Sequence, residues 1–197
     1  MLKNILLLVF IVLGNSAVRA QSADSVYNQY LDFNLARFQG ENEKLVSLGE
    51  NLLPAAGKLP EKARTNFYFA IGKVYEDNNQ PEKALIYYEK VAAAVPYYYV
   101  VHRGIGYIFL EQAKDIKNKL NAASEPAAIK KLTADYNAIA LKALPHLEKA
   151  QACDPSDETL DEIKSLYKNM KNTEGLNTLN SRLKELGTHC IDILEDK

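Results

Sequence analysis

The chain has 197 residues, with 24 Lys and Arg against 25 Asp and Glu, 47% apolar residues, two cysteines and no tryptophan. The near-neutral balance argues against nucleic acid as an obligatory partner, which would leave a basic footprint. Nine Gly and seven Pro exclude collagen-like and low-complexity chains, and the mix of apolar and charged residues is that of one globular domain rather than a disordered tail.

Residues 1–20 read as an export signal. Lys3 supplies the positive start, Ile5 to Leu13 is an unbroken apolar run, and the small residues of Val18-Arg19-Ala20 suit a cleavage site after Ala20. The run is shorter than the ~20 residues that span a bilayer as a helix; the competing readings are an N-terminal membrane anchor or a buried strand. Cleavage removes Lys3 and Arg19 and no acid, and leaves no cysteine near the new terminus to carry a lipid. The expectation is a periplasmic or secreted protein, exported across the inner membrane, with no stable membrane insertion once the signal is removed.

Residues 21–197 are expected to form one all-α domain. Tyr27, Leu31, Leu35 and Phe38 fall on one helical face, Gly40 breaks the chain, and Leu45, Leu48 and Leu52 form a second face before Pro54, a first hairpin over 23–58. Tyr68, Ile71, Gly72 and Tyr75 follow at i, i+3, i+4 and i+7. Asp77-Asn78-Asn79-Gln80 has turn chemistry, Pro81 suits a first helical turn, and Ala84, Tyr88 and Val91 make the partner face that Pro96 ends. Beyond Ile105, Gly106 and Phe109, the stretch Glu111 to Ala123 prolongs a helix. Ser124-Glu125-Pro126 starts another that runs toward Lys149, where Pro145 predicts a kink or break. Ser156 and Asp157 offer N-cap chemistry. Leu160, Ile163, Tyr167 and Met170, then Leu176, Leu179, Leu183 and Leu186, suggest a last hairpin over 158–195, broken at Asn172-Thr173.

An internal repeat runs through the middle of this pattern. Tyr68, Ile71, Gly72 and Tyr75 recur 34 positions later as His102, Ile105, Gly106 and Phe109. The segment Lys83 to Pro96 recurs 59 positions later as Lys142 to Pro155 with Lys, Ala, Leu, Glu, Lys, Ala and Pro identical. The difference of 25 is an insertion between the halves of the second copy. Small residues at Gly72 and Ala84 allow close approach of paired helices, while the aromatics fill the space around them.

The unit 65–98 resembles the tetratricopeptide repeat (TPR), through Tyr68, Ile71-Gly72, Tyr75, Ala84, Tyr88, Val91 and Pro96. The unit 99–157 carries the pattern in Ile105-Gly106, Phe109, Ala143, Leu147, Ala150 and Pro155, and departs from it at His102, where a large aromatic is usual. The resemblance implies a right-handed stack of antiparallel helical hairpins, an α-α superhelix with two clear hairpins flanked by degenerate ones. It also implies a concave groove lined by the first helix of each hairpin. Carried over by position, that groove takes Asn66, Phe69, Lys73, Arg103 and Tyr107. Phe69 and Gly104 stand where the clamp for chaperone C-terminal tails needs polar or basic side chains, which disfavours that ligand.

No catalytic, cofactor or metal signature accompanies the repeat. His102, His146 and His189 have no cluster spacing, and His189-Cys190 would point to different helix faces. Eight of the 12 tyrosines lie between Tyr68 and Tyr107, supplying core packing and amphipathic contact area. The expected function is non-enzymatic binding of a protein or peptide without a cofactor. The alternative is a structural subunit of an envelope or secretion assembly. Cys153 and Cys190, an even pair in an oxidising compartment, either bridge or are small buried hydrophobes at unrelated places.

Overall fold

The computed structural model describes residues 22–194, so the expected export signal lies outside the described residues. Helices account for nearly all of that span. Helix α1 (Ala23–Gln39) begins where the Ser22 hydroxyl accepts the Ser25 amide at 3.2 Å. It ends at Gly40, whose φ of 70° lies in the left-handed region that glycine enters without a Cβ clash. Helix α2 (Asn42–Leu52) passes into a short 3-10 helix, Leu53–Lys58, with Pro54 in its first turn. Helix α3 (Glu61–Asp77) and helix α4 (Pro81–Ala94) are joined by a short turn in which Asn79 takes φ 56°, a conformation Asn tolerates.

Helix α5 (Tyr99–Ala122) and helix α6 (Pro126–Cys153) form the longest hairpin. Pro145 lies inside α6 and does not break it, contrary to one of the two outcomes the sequence predicts. The proline removes its own amide from the ladder. The residue four positions earlier, Leu141, is exposed, so solvent can take up the released carbonyl. Helix α7 (Asp157–Asn169) is capped by Ser156, which accepts the Thr159 amide at 3.2 Å, and carries Asp157 and Glu158 in its first turn. The expected last helix is two short ones: α8 (Thr173–Asn177), capped by Asn172, and α9 (Leu179–Leu186). Of its four expected leucines only Leu179 is fully buried.

One core runs the length of the chain, from Val26 and Phe33 through Phe67, Ile71 and Tyr88 to Ile105, Leu147 and Ile163. The first hairpin needs a correction. Helix α1 buries Val26, Tyr30, Phe33 and Ala36, while Tyr27, Leu31, Leu35 and Phe38 are exposed. Both sides of this helix are apolar, and the core took the one that places Phe33 edge-on against Phe67, 5.1 Å between centroids.

The two middle hairpins repeat each other contact by contact. Tyr68 packs on Tyr87 at 5.7 Å, and their counterparts His102 and His146 meet at 4.9 Å. The Lys83 ammonium lies 5.1 Å from the Tyr75 ring, and that of Lys142 lies 5.5 Å from the Phe109 ring. A Cβ on Gly72 would come within 2.6 Å of the Tyr88 ring, and one on Gly106 within 2.9 Å of the Leu147 side chain. Each pair is related to the other by the offsets of 34 and 59. Tyr75 near the end of α3 meets Lys83 at the start of α4, while the earlier Tyr68 meets the later Tyr87. Phe109 and His102 meet Lys142 and His146 in the same order, so both hairpins are antiparallel. The insertion is the far end of α5 and the start of α6. It is anchored near its base by Lys114 to Glu162 (2.9 Å) and Asn169 to the Tyr136 hydroxyl (3.1 Å), and is almost wholly exposed from residue 118 to 131.

Candidate functional site

Tyr88 organises the face on which the groove residues were expected. Its ring is fully buried between Gly72 and Gly104, where added Cβ atoms would lie 2.6 and 2.8 Å away, and its hydroxyl donates to Glu76 at 2.6 Å. Burial first, then the neighbouring Glu76 carboxylate, drives its phenol far above the ordinary tyrosine range. Gly104 therefore stands where a clamp side chain would be because Tyr88 occupies that volume.

The five expected groove residues lie on α3 and α5, and most are engaged within the chain. Phe69 is half-buried, 5.9 Å from the Tyr88 ring and edge-on to Tyr98 at 5.1 Å. Asn66 is half-buried one turn earlier. Lys73 is exposed and pairs with Glu76 (3.3 Å) and Asp77 (3.0 Å) on its own helix. Arg103 bonds Asp154 at the end of α6 and lies 5.5 Å from the Tyr99 ring, while the Tyr107 hydroxyl shares a 2.9 Å hydrogen bond with Thr159 of α7. Arg103 thus ties the two ends of its own hairpin together, Tyr107 joins that hairpin to α7, and Phe69 packs at the edge of the core.

A second component of this surface, the C-terminal tail, has no helical periodicity; the sequence reading places it in a hairpin over 158–195 and offers a Cys153–Cys190 bridge as one of two alternatives. Cys153 and Cys190 form a disulfide with Cα atoms 5.6 Å apart. His189 and Cys190 lie beyond α9 rather than on a helix, which corrects the reason given for setting them aside. After the bridge the chain runs extended. Ile191 donates to the Tyr97 carbonyl at 2.8 Å and accepts from the Tyr99 amide at 3.1 Å, so the tail is fastened to the turn between α4 and α5. The Lys149 ammonium donates to the carbonyls of Leu186 (2.9 Å) and His189, and lies over the Tyr97 ring, against which His189 also packs at 5.1 Å. Burial lowers the Lys149 pKa. Beside it, the buried Glu148 carboxylate receives the Tyr167 hydroxyl at 2.5 Å and two nitrogens of Arg182 at 2.7 and 2.9 Å, which ties α9 to α6.

The tail forms one wall of a cavity of about 520 Å³, whose other walls are Glu61, Lys62 and Thr65 of α3 with Ala94 and Val95. The cavity sits one turn before Asn66 and Phe69 on the same helix. Ile191, Ile193 and Leu194 make it largely apolar, with the Glu61 and Lys62 charges at its rim, the mix of apolar lining and few polar groups common in ligand pockets. Comparison of the chain with protein-family models, curated proteins and solved structures finds no significant match.

The histidines do not behave as three separate residues. His102 and His146, 44 residues apart, bring their Nδ1 atoms to 2.9 Å, and the 4.9 Å centroid separation means that the rings meet edge to edge. His102 Nε2 lies 3.0 Å from the Pro96 carbonyl, which can only accept, so Nε2 carries the proton and the His102 Nδ1 is bare. His146 Nδ1–H therefore donates to it. Among the described residues no group of three His, Cys, Asp or Glu side chains could hold a metal ion, and a proton fits this contact. Burial, together with its His102 neighbour, pushes His146 down to about 4. Burial and the Lys149 charge outweigh the Pro96 hydrogen bond and lower His102.

Proposed function

We propose that this is a non-enzymatic, exported helical-repeat protein of the tetratricopeptide type, which holds an extended protein or peptide segment on the surface shared by α3, α5 and the tail. The recurrence of hairpin contacts at offsets 34 and 59 carries the repeat reading, since copied hairpins that stack leave an inner surface whose side chains are free to vary. The tail-walled cavity beside Asn66 and Phe69 supports the binding reading. Because Arg103 is paired within its own hairpin and Tyr107 with α7, affinity is assigned chiefly to the apolar cavity and its Glu61–Lys62 rim. Selection of peptides from a displayed random library on the immobilised protein tests it. Selected peptides should share apolar residues in extended spacing, and Ala94→Arg or Ile193→Asp, both at exposed lining positions, should lower their affinity at least tenfold with the fold intact. No enrichment, or enrichment indifferent to both substitutions, would count against it.

Export is part of the same reading: the mature protein should begin at Gln21, which intact mass of the secreted product decides. No helix among the described residues is long and apolar enough to cross a membrane. The alternative, a structural subunit of an envelope or secretion assembly, draws on the exposed end of the α5–α6 hairpin between residues 118 and 131. Shortening that end should impair assembly under this alternative and leave peptide affinity unchanged under the leading one.

A further inference from the structure

The two ends of the helical stack present opposite chemistry to solvent. At the C-terminal end, α9 turns Asn180, Ser181, Lys184 and Glu185 outward. At the N-terminal end, α1 turns out Tyr27, Leu31, Leu35 and Phe38, which are 41, 48, 53 and 84% exposed. These residues stand at i, i+4, i+8 and i+11, one row on the side away from Val26, Phe33 and Ala36. A helical stack needs a polar outer face where it ends, and α1 does not provide one. Four large apolar side chains in a single row reach the scale, about 300–600 Å², at which exposed apolar surface marks a contact site.

The row is self-complementary. Phe38, its most exposed member, stands at one end. At the other, about 16 Å away at 1.5 Å per residue, Tyr27 borders a cavity of about 380 Å³ closed by Ala23, Asp24, Asn28, Lys58 and Pro60. A two-fold axis across the middle of the row would set two α1 helices antiparallel and carry each Phe38 into the partner's cavity, with Leu31 and Leu35 meeting at the centre. The charges agree with that direction. Arg37 lies beside Phe38, 6.0 Å from its ring, and the cavity carries Asp24 together with Lys58, so antiparallel pairing sets Arg37 against a rim that holds an acid as well as a cation. Parallel pairing would set Arg37 against Arg37 and leave both cavities unfilled.

We propose that the N-terminal face is covered by a second copy of this chain, in an isologous antiparallel pairing of α1 helices that seats Phe38 beside Tyr27 of the other copy. One helix face per copy falls short of the ~800 Å² per partner of a standard stable interface. The pairing is therefore a monomer–dimer equilibrium at micromolar concentration rather than an obligate dimer. It is separate from the peptide surface and does not depend on it.

Sedimentation velocity of the purified protein from about 1 to about 200 μM should show a concentration-dependent shift from monomer to dimer. Phe38→Ala should weaken the dimer about tenfold or more, the usual scale for an aromatic anchor, with circular dichroism unchanged because the side chain leaves the fold untouched. Asp24→Arg and Arg37→Asp should each weaken it, and the two together should restore it, which unspecific apolar association would not do. A monomer across the whole range, or a dimer indifferent to Phe38→Ala, would overturn the proposal and assign the row to a different partner. A double reversal without rescue would overturn the antiparallel arrangement.

Discussion

The α3–α4 and α5–α6 hairpins are built on one contact plan and use it differently. In the first, the plan is filled with aromatics: Tyr68 against Tyr87, Lys83 over Tyr75, and Tyr88 in the hollow over Gly72. In the second, Leu147 fills that hollow over Gly106, and two histidines replace the tyrosine pair. The lysines diverge too. Lys90 lies over Tyr68 and Tyr87, whereas its counterpart Lys149 turns to the tail and holds the carbonyls of Leu186 and His189. A shared backbone arrangement thus supports an aromatic hairpin beside one that holds a buried histidine pair and carries the tail.

The largest effect should come from emptying the hollow that both hairpins fill. Tyr88→Ala removes a fully buried ring and should cost about 3–5 kcal/mol, and Leu147→Ala about 2–5 kcal/mol. Chemical denaturation measures both. A cost below 1 kcal/mol at one site would break the equivalence.

Breaking the bridge comes next, and it separates the halves of the molecule. Cys153→Ser with Cys190→Ser should lower stability by about 2–4 kcal/mol, because a 37-residue separation closes a long loop in the unfolded chain. Hydrogen exchange should then rise at Ile191 and Tyr99, whose bonds fasten the tail, and stay low within α3 and α4. Uniformly faster exchange would mean that the tail is not a separate element.

Adding a methyl group where each hollow is tightest should cost less. Gly72→Ala and Gly106→Ala should each destabilise by about 1–3 kcal/mol through overpacking. Gly72→Ala should be the worse, since the Tyr88 ring is pinned by Gly104 behind it and by Glu76 at its hydroxyl. Thermal melts that rank the two oppositely would show that Tyr88 has room to shift. Smallest of all, Lys83→Met and Lys142→Met should each cost about 0.5–1 kcal/mol, the scale of an exposed cation–aromatic contact. Clearly unequal values would separate the hairpins where their geometry most nearly agrees.

Much of this plan was legible in the chain, because offsets of 34 and 59 register every paired position, His102 with Tyr68 and His146 with Tyr87 included. The histidine contact itself was not read out. Spacing searches look for ligands close in sequence, and the 25-residue insertion separates these two by a whole helical excursion. Helix α1 misled because it has two apolar sides and periodicity cannot say which one the core takes. The tail was only partly legible: the Cys153–Cys190 bridge was one of two alternatives, but the two backbone hydrogen bonds and Lys149 that also order it leave no repeat of apolar residues. The residues expected to line a groove lie on α3 and α5, and the partners of two of them, Asp154 and Thr159, stand 51 and 52 positions away, beyond any local pattern.

Exchanging the pair that distinguishes the hairpins tests their equivalence most directly. The native His146, held near 4, binds fewer protons than its unfolded form with an ordinary value of 6.5, and His102 is shifted in the same direction. Stability should therefore be fully present above about pH 6.5 and fall progressively as the pH drops toward 4. Replacing both histidines by the tyrosines of the first hairpin, His102→Tyr with His146→Tyr, should leave the protein folded at pH 7. The double variant should lose most of the decline in melting temperature between pH 6.5 and 4. A variant that fails to fold at neutral pH, or one that keeps the wild-type acid sensitivity, would contradict the account of two hairpins built on one plan.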